Sequence, residues 1–271
     1  MINILLIIII IIILIIININ MEQFSEPPKK IAFCFLIYDS INHEKLWYDF
    51  FNTMDSNKYS IYIHYKENKP LKYLEKYKLD NCIPTKYGDV SLVHAHNLLF
   101  KKALEDRLNY KFINVSQACI PLKKSSYIYN YLTKDNMGHF NLANTINKSS
   151  EWFILNRKLA ELVTSIDINT INKTYSNVFA PEELFFITTI NNNILTNEII
   201  TTPNLSNGAT TFTNWGDMDY KYSSIGESPQ PKNYKIISNE EADYLLNSPC
   251  LFGRKFNKEC NLSYIYNKLN L

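Results

Sequence analysis

Apolar positions along this chain fall into two periods, and the switching between them predicts strands and helices in turn. Lys30-Ile-Ala-Phe-Cys-Phe-Leu-Ile-Tyr38 is continuously apolar, the pattern of a strand covered on both faces. Asp39-Ser-Ile-Asn42 turns the chain, and Glu44 to Met54 then carries Leu46, Trp47, Phe50 and Phe51 at helical spacing. Tyr59-Ser-Ile-Tyr-Ile-His-Tyr65 reads as a second strand. Strand, helix and like strand in that order predict an open, mainly parallel sheet.

The pattern continues with a short helix over Leu71 to Tyr77 and a short strand over Cys82 to Tyr87. Asp89 or Ser91 opens a helix whose Leu92, Val93, Leu98, Leu99, Ala103 and Leu104 keep a period of about 3.6 residues. Tyr110 to Ser116 is a core strand running into Gln117-Ala-Cys-Ile-Pro-Leu122, a loop at a strand's carboxyl end, where open α/β sheets bind ligands. Next come a helix over Ser125 to Leu132, a polar stretch at 133–150 read as irregular, a strand over Glu151 to Leu155 and a helix over Arg157 to Thr164. Pro181 stands at the first turn of another helix, followed by Glu182, Glu183 and an apolar run from Leu184 to Ile190. A strand near Ile199, a Gly/Thr/Asn-rich loop, a helix over Glu240 to Leu246 and the segment Pro249-Cys-Leu-Phe-Gly-Arg-Lys-Phe256 complete the order. No repeat is visible and nothing marks a boundary after residue 30, so 31–271 is expected to be one α/β domain.

With 46% hydrophobic and 14% aromatic residues in 271, the chain has ample material for a core. A net charge of +2 without a basic block argues against nucleic acid as a partner. Residues 4–17 are unbroken Ile and Leu between Asn3 and Asn18, short of the roughly 20 that span a bilayer. No Lys or Arg precedes them and no small-residue cleavage site follows. An uncleaved membrane anchor over 1–20 is therefore expected, ahead of a signal segment or an unstructured tail, with 21–30 as a polar stalk. The domain beyond it would face the lumenal or extracytoplasmic side, or be secreted if the segment is cut. The five cysteines show no C-x-x-C and no zinc spacing. Cys34 and Cys119 lie in apolar runs and read as core, while Cys250 and Cys260 are the pair that would bridge in an oxidising compartment.

Dinucleotide and Walker loops, H-E-x-x-H and G-x-S-x-G are all absent. His94 and His96 are two apart on a predicted helix and diverge, which leaves His64, His94 and His96 a poor metal set. Asp217-Met-Asp219 has the D-x-D form that holds a divalent ion in many nucleotide-sugar transferases, but in a polar loop. Arg254 and Lys255 interrupt an apolar strand and need an anionic partner, either a structural carboxylate or a diphosphate leaving group. Lys232 is a second candidate cation, and Trp152 and Trp215 are either sugar-stacking plates or core. Taken alone, Pro181-Glu182-Glu183 is either a helix start with dipole-matched acids or the seat of a general base.

The order of segments resembles the core-2/I-branching β-1,6-N-acetylglucosaminyltransferase family, including its plant branch. The resemblance is carried by Ile31-Ala-Phe-Cys-Phe-Leu-Ile37, Tyr59-Ser-Ile-Tyr-Ile-His64, Tyr87-Gly-Asp-Val-Ser-Leu-Val93 and Phe112-Ile-Asn-Val-Ser-Gln-Ala-Cys-Ile-Pro-Leu122. It continues through Ser150-Glu-Trp-Phe-Ile-Leu-Asn-Arg157, Pro181-Glu-Glu183 and Leu251-Phe-Gly-Arg-Lys-Phe256. It implies a GT-A-like α/β fold with a central mainly parallel sheet flanked by helices. It also implies inverting transfer from a UDP-sugar, UDP-GlcNAc first, to a glycan or glycoprotein hydroxyl. By the same resemblance Glu183 is the base, Lys255 and, with less certain spacing, Lys232 bind the diphosphate beside Arg254, and Ser116, Gly88 and His64 line the nucleotide-sugar pocket. Trp152 and Trp215 lie near the sugars. Basic residues replace the metal, so no cofactor is expected.

This sequence also departs from the family. Tyr65 and Lys66 stand where animal branching enzymes carry a uridine-holding acid, the stretch before Trp152 lacks the family's basic cluster, and the animal cysteine framework is missing. Xylosyl or glucuronosyl transfer on the same scaffold, or a catalytically degenerate glycan-binding member, are the alternatives these departures raise.

Overall fold

In the computed structural model, residues 10–12, 28–143, 145–202, 210–215 and 230–271 are described. Most of the expected anchor and of the stalk, and Asp217 and Asp219, lie outside them. Among the described residues no helix is long and apolar enough to cross a membrane.

A six-stranded sheet organises the chain in the order β2-β1-β3-β6-β5-β7. Its strands are β1 (Lys30–Ile37), β2 (Tyr59–Tyr65), β3 (Asn109–Ser116), β5 (Gly138–Asn141), β6 (Ile154–Asn156) and β7 (Ile199–Thr202). β1 runs parallel to both β2 and β3, and β7 runs parallel to β5, while β6 enters antiparallel to β3 and β5. The sheet is therefore mixed and mostly parallel. A second sheet, β4-β9-β8, joins β4 (Ile120–Pro121), β8 (Thr211–Thr213) and β9 (Phe252–Arg254).

The unbroken apolar run of β1 is explained by what covers it. Ile31, Phe33, Phe35 and Ile37 point into one core with Trp47, Phe50 and Phe51 of helix α1 (Glu44–Asn52). Ala32 and Cys34 point into the other, with Val93, Leu99, Phe100 and Ala103 of α2 (Ser91–Leu104). Helices α3 (Ser125–Thr133), α4 (Arg157–Ser165), α5 (Ile168–Tyr175) and α6 (Glu182–Asn192) follow in chain order. A third core, holding Phe212, Tyr234, Leu245 and Phe256, joins the small sheet to α7 (Asn239–Asn247) and α8 (Ser263–Leu269).

Four local expectations change. The stretch read as irregular contains β5, all four residues of which are buried. Gly138 resembles a turn residue in sequence, yet it sits in the strand because the space is taken. A Cβ there would lie 2.8 Å from Leu159 Cδ1 and 3.0 Å from the Ile154 carbonyl oxygen. Cys82 to Tyr87 forms no strand. Only a 3-10 turn at Glu75–Tyr77 forms where a helix over 71–77 was expected. Glu44 claims the preceding amides instead, accepting from the Lys72, Tyr73 and Leu74 N–H groups. Finally, no disulfide joins Cys250 to Cys260.

Candidate active site

Three parallel strands end together at one edge of the large sheet. Leu36 of β1 is in register with His64 of β2 and with Ser116 of β3, so the two predicted pocket residues flank the same strand end. His64 is fully buried, and its Nε2 accepts from the Ile83 N–H at 3.0 Å. Burial, then the neighbouring His96, pulls it down to about 4, which keeps it a neutral acceptor. His64 thereby fixes the segment 82–87 that leads into Gly88. Ser116 directs its hydroxyl into its own loop, against Cys119 Sγ at 3.1 Å and the Ala118 N–H at 3.3 Å. At the altered end of β2, the Lys66 ammonium lies 5.1 Å from the centre of the Tyr38 ring, whose hydroxyl bonds Glu67.

Gly88 couples this edge to helix α6. Its carbonyl accepts from the Ala180 N–H at 3.1 Å, one residue before Pro181-Glu182-Glu183. The backbone at Gly88 has φ +66°, and a Cβ there would lie 2.4 Å from Phe179 Cε2. Tyr87 and Phe179, 82% and 72% exposed, meet edge to face at 5.9 Å over this junction. Gly88→Ala should therefore cost about 1–3 kcal/mol, read as a lower urea midpoint, because both the left-handed backbone and the Phe179 contact are lost.

The two acids of α6 have different surroundings. Glu183 is 29% exposed and pairs with Lys148 at 3.0 Å, while its backbone carbonyl accepts from the Ser149 N–H at 2.8 Å. Glu182 is buried. Burial first and then the charge of Glu151 push its carboxyl up to about 8. Glu151, within the Ser150-Glu-Trp segment, carries no signal of its own in the sequence. Glu151 accepts from His96 Nε2 at 2.9 Å and gives its backbone carbonyl to Asn114 Nδ2 at 3.0 Å. That link spans 55 residues, and no local pattern announces it. His94 turns the other way, to Asn172 Oδ1 at 2.7 Å, as the divergence of the two histidines predicts.

The cationic strand closes the arrangement. The Arg254 guanidinium lies over the Trp152 ring at 4.3 Å. Trp152 is only 6% exposed, so it serves as the seat of Arg254 and has little surface left for a sugar. The Nε of Arg254 is shielded from solvent and has no hydrogen-bond partner, and among the described residues neither Arg254 nor Lys255 makes an ion pair. Burial lowers Arg254, against the raising charges of Cys119, Glu151 and Glu183. Burial and then adjacent Arg254 lower Lys255, with Glu151 opposing. The charges of Glu151 and Glu183 thus act on Arg254, and that of Glu151 on Lys255.

Lys232 meets the end of this strand through the backbone. The Lys255 N–H donates to the Lys232 carbonyl at 3.4 Å, and the Lys232 N–H to the carbonyl of Asn214, next to partly buried Trp215. The Lys232 ammonium itself pairs with Glu241 of α7 at 2.5 Å and lies 4.7 Å from the Tyr234 ring centre. Among the described residues, no group of three or more His, Cys, Asp or Glu side chains is placed to hold a metal ion.

Residues 31–143, from β1 through β5, match the Core-2/I-Branching enzyme family. Over that span, which is less than half of the chain, it is similar to that family. Glu151, Glu183, Arg254 and Lys255 lie beyond the matched span. Over 170 residues the chain is 25% identical to "Glycosyltransferase BC10" of Oryza sativa subsp. japonica, covering 53% of this chain and 43% of that one. The chain thus spans less than half the length of this curated relative. Among solved structures it is similar to a glycosyltransferase involved in the glycosylation of the major capsid of PBCV-1. That likeness has 12% identity and a TM-score of 0.42, over 64% of this chain and 82% of the other.

Proposed function

We propose that the chain is an inverting glycosyltransferase of GT-A-like build that moves a sugar from a UDP-sugar, UDP-GlcNAc first, to a hydroxyl of a glycan or glycoprotein. The observation that carries this reading is the pair of cations Arg254 and Lys255 at the end of β9. Among the described residues the shielded Nε of Arg254 has no acceptor and neither side chain makes an ion pair, which suits an anion brought from outside. A nucleoside diphosphate meets that need, because its charge grows as the glycosidic bond to the leaving group breaks. Lys255 and Arg254 would hold it, with Lys232 positioned behind them by its backbone. Ser116, Gly88 and His64 would shape the nucleotide-sugar pocket at the strand ends.

Glu183 is the acid assigned here as base. It is accessible, and its partner Lys148 is about half exposed, so the pair is weak and an acceptor hydroxyl can displace it. A carboxylate that removes the acceptor proton opposite the departing diphosphate gives single displacement with inversion. Cations in place of a metal predict that chelators leave donor binding intact.

A thermal-shift panel of UDP-GlcNAc, UDP-xylose and UDP-glucuronate, each with and without chelator, tests this reading. One donor should raise Tm equally in both conditions, by the equivalent of about 2.7 kcal/mol at a hundred times Kd. A shift with UDP-xylose or UDP-glucuronate alone would reassign the donor. A shift that vanishes with chelator would contradict the metal-free reading. Failure of every nucleotide sugar, with an acceptor glycan still bound, would make the chain a degenerate glycan-binding member.

A further inference from the structure

Glu182, the first residue of α6, is 5% exposed, and its Oε2 is buried without a hydrogen-bond partner. Negative charge faces it from two directions: Glu183 on its own helix, and Glu151 from the segment before β6. Lys148, a cation that acts on it, already pairs with Glu183 at 3.0 Å. Glu151 is held by His96 of α2 at 2.9 Å, and its charge acts on Arg254 of β9 and on Lys255 just after it. An ionised carboxylate with a bare buried oxygen, set between two further carboxylates, would be strongly disfavoured.

We propose that Glu182 works as a neutral acid, holding the proton of the Glu151–Glu182–Glu183 cluster so that the other two stay ionised. Glu151 then keeps its charge toward Arg254 and Lys255, and Glu183 keeps its charge for the acceptor hydroxyl. Glu182 is a positioning residue and not a second base. The role of Glu183 in this statement rests on the proposed transferase reading, whereas the protonated state of Glu182 does not.

The sign of the pH dependence follows from the direction of the shift. Between the ordinary 4.5 and the raised value of about 8, the unfolded chain has released this proton and the folded chain has not. Stability therefore falls with rising pH across that window and levels off above it. Glu182→Gln, which mimics the neutral acid, removes that slope, so its Tm relative to wild type should climb from about pH 4.5 to about 8.

Infrared difference spectroscopy on the full chain tests the proposal without any substrate. At about pH 6, between those two values, wild type should show the carbonyl stretch of a protonated carboxyl, and Glu182→Gln should lack it. Wild type alone should lose the band as pH rises through about 8, which keeps the test decisive if the variant folds poorly. No such band, or one that survives Glu182→Gln, would overturn the proposal whether or not the chain transfers sugar. In a transfer assay, Glu182→Ala should lower kcat by up to about 10²-fold and Glu182→Gln should restore it. Loss of activity in Glu182→Gln equal to that in Glu182→Ala would show that the carboxylate form is required. A band that behaves as expected, without transfer by wild type, would leave the neutral acid standing and remove the transferase reading.

Discussion

Glu183→Gln should reduce sugar transfer by about 10²–10⁴-fold while donor binding and Tm stay near wild type. The amide keeps the shape of the side chain and cannot accept the acceptor's proton. The separation of effects is expected because Glu183 stands apart from the core. It is 29% exposed and pairs with a half-exposed lysine, so little packing depends on its charge. The backbone that sets its position is tied down elsewhere, through the Ala180–Gly88 hydrogen bond and the one from Ser149 N–H to the Glu183 carbonyl. Steady-state kinetics with saturating donor, beside thermal unfolding, read both parts. A variant that lost stability and activity together would identify Glu183 as a structural residue.

Lys255→Ala should weaken donor binding and cut kcat by about 10²–10³-fold, the range for removing one group that stabilises developing negative charge. Lys255 is half-buried beside Arg254 and has no ion pair among the described residues, so its removal relieves repulsion and should leave Tm unchanged or slightly raised. Arg254→Ala is the contrasting control. It uncovers the Trp152 ring and removes a charge that balances Glu151 and Glu183, so stability should fall along with activity. Calorimetric titration of the donor into both variants distinguishes the two cations. Undiminished donor affinity in Lys255→Ala would place the diphosphate elsewhere.

The elements that build the sheet were legible because their reasons are local. β1 reads as buried on both faces because helices cover both, and α1 shows its Trp47, Phe50 and Phe51 stripe at helical spacing. β5 was not legible, since Gly138 and Asn141 look like loop residues until the close approach of Leu159 and β6 is known. β4, with two residues, is too short to show any period. In the site, Pro181-Glu182-Glu183 and Arg254-Lys255 stood out as residue types in unusual company. What they are near did not. The His96–Glu151 contact joins helix α2 to the segment before β6, and Trp152 turned out to carry Arg254. Lys232 was picked out as a cation for the diphosphate, but its ammonium is held by Glu241, nine residues further along the chain. Glu182 looked like a dipole-matched first-turn acid, and only its burial reveals the cost of ionising it.

Inverting transfer with Glu183 as base is tested by the anomeric configuration of the product, followed by proton NMR from the first turnover, with wild type and Glu183→Gln side by side. Wild type, in chelator, should convert the donor's α-linked sugar into a β-linked product and release UDP. Glu183→Gln should bind the same donor and form no product on that timescale. A product of retained configuration, or equal rates from the two proteins, would contradict it.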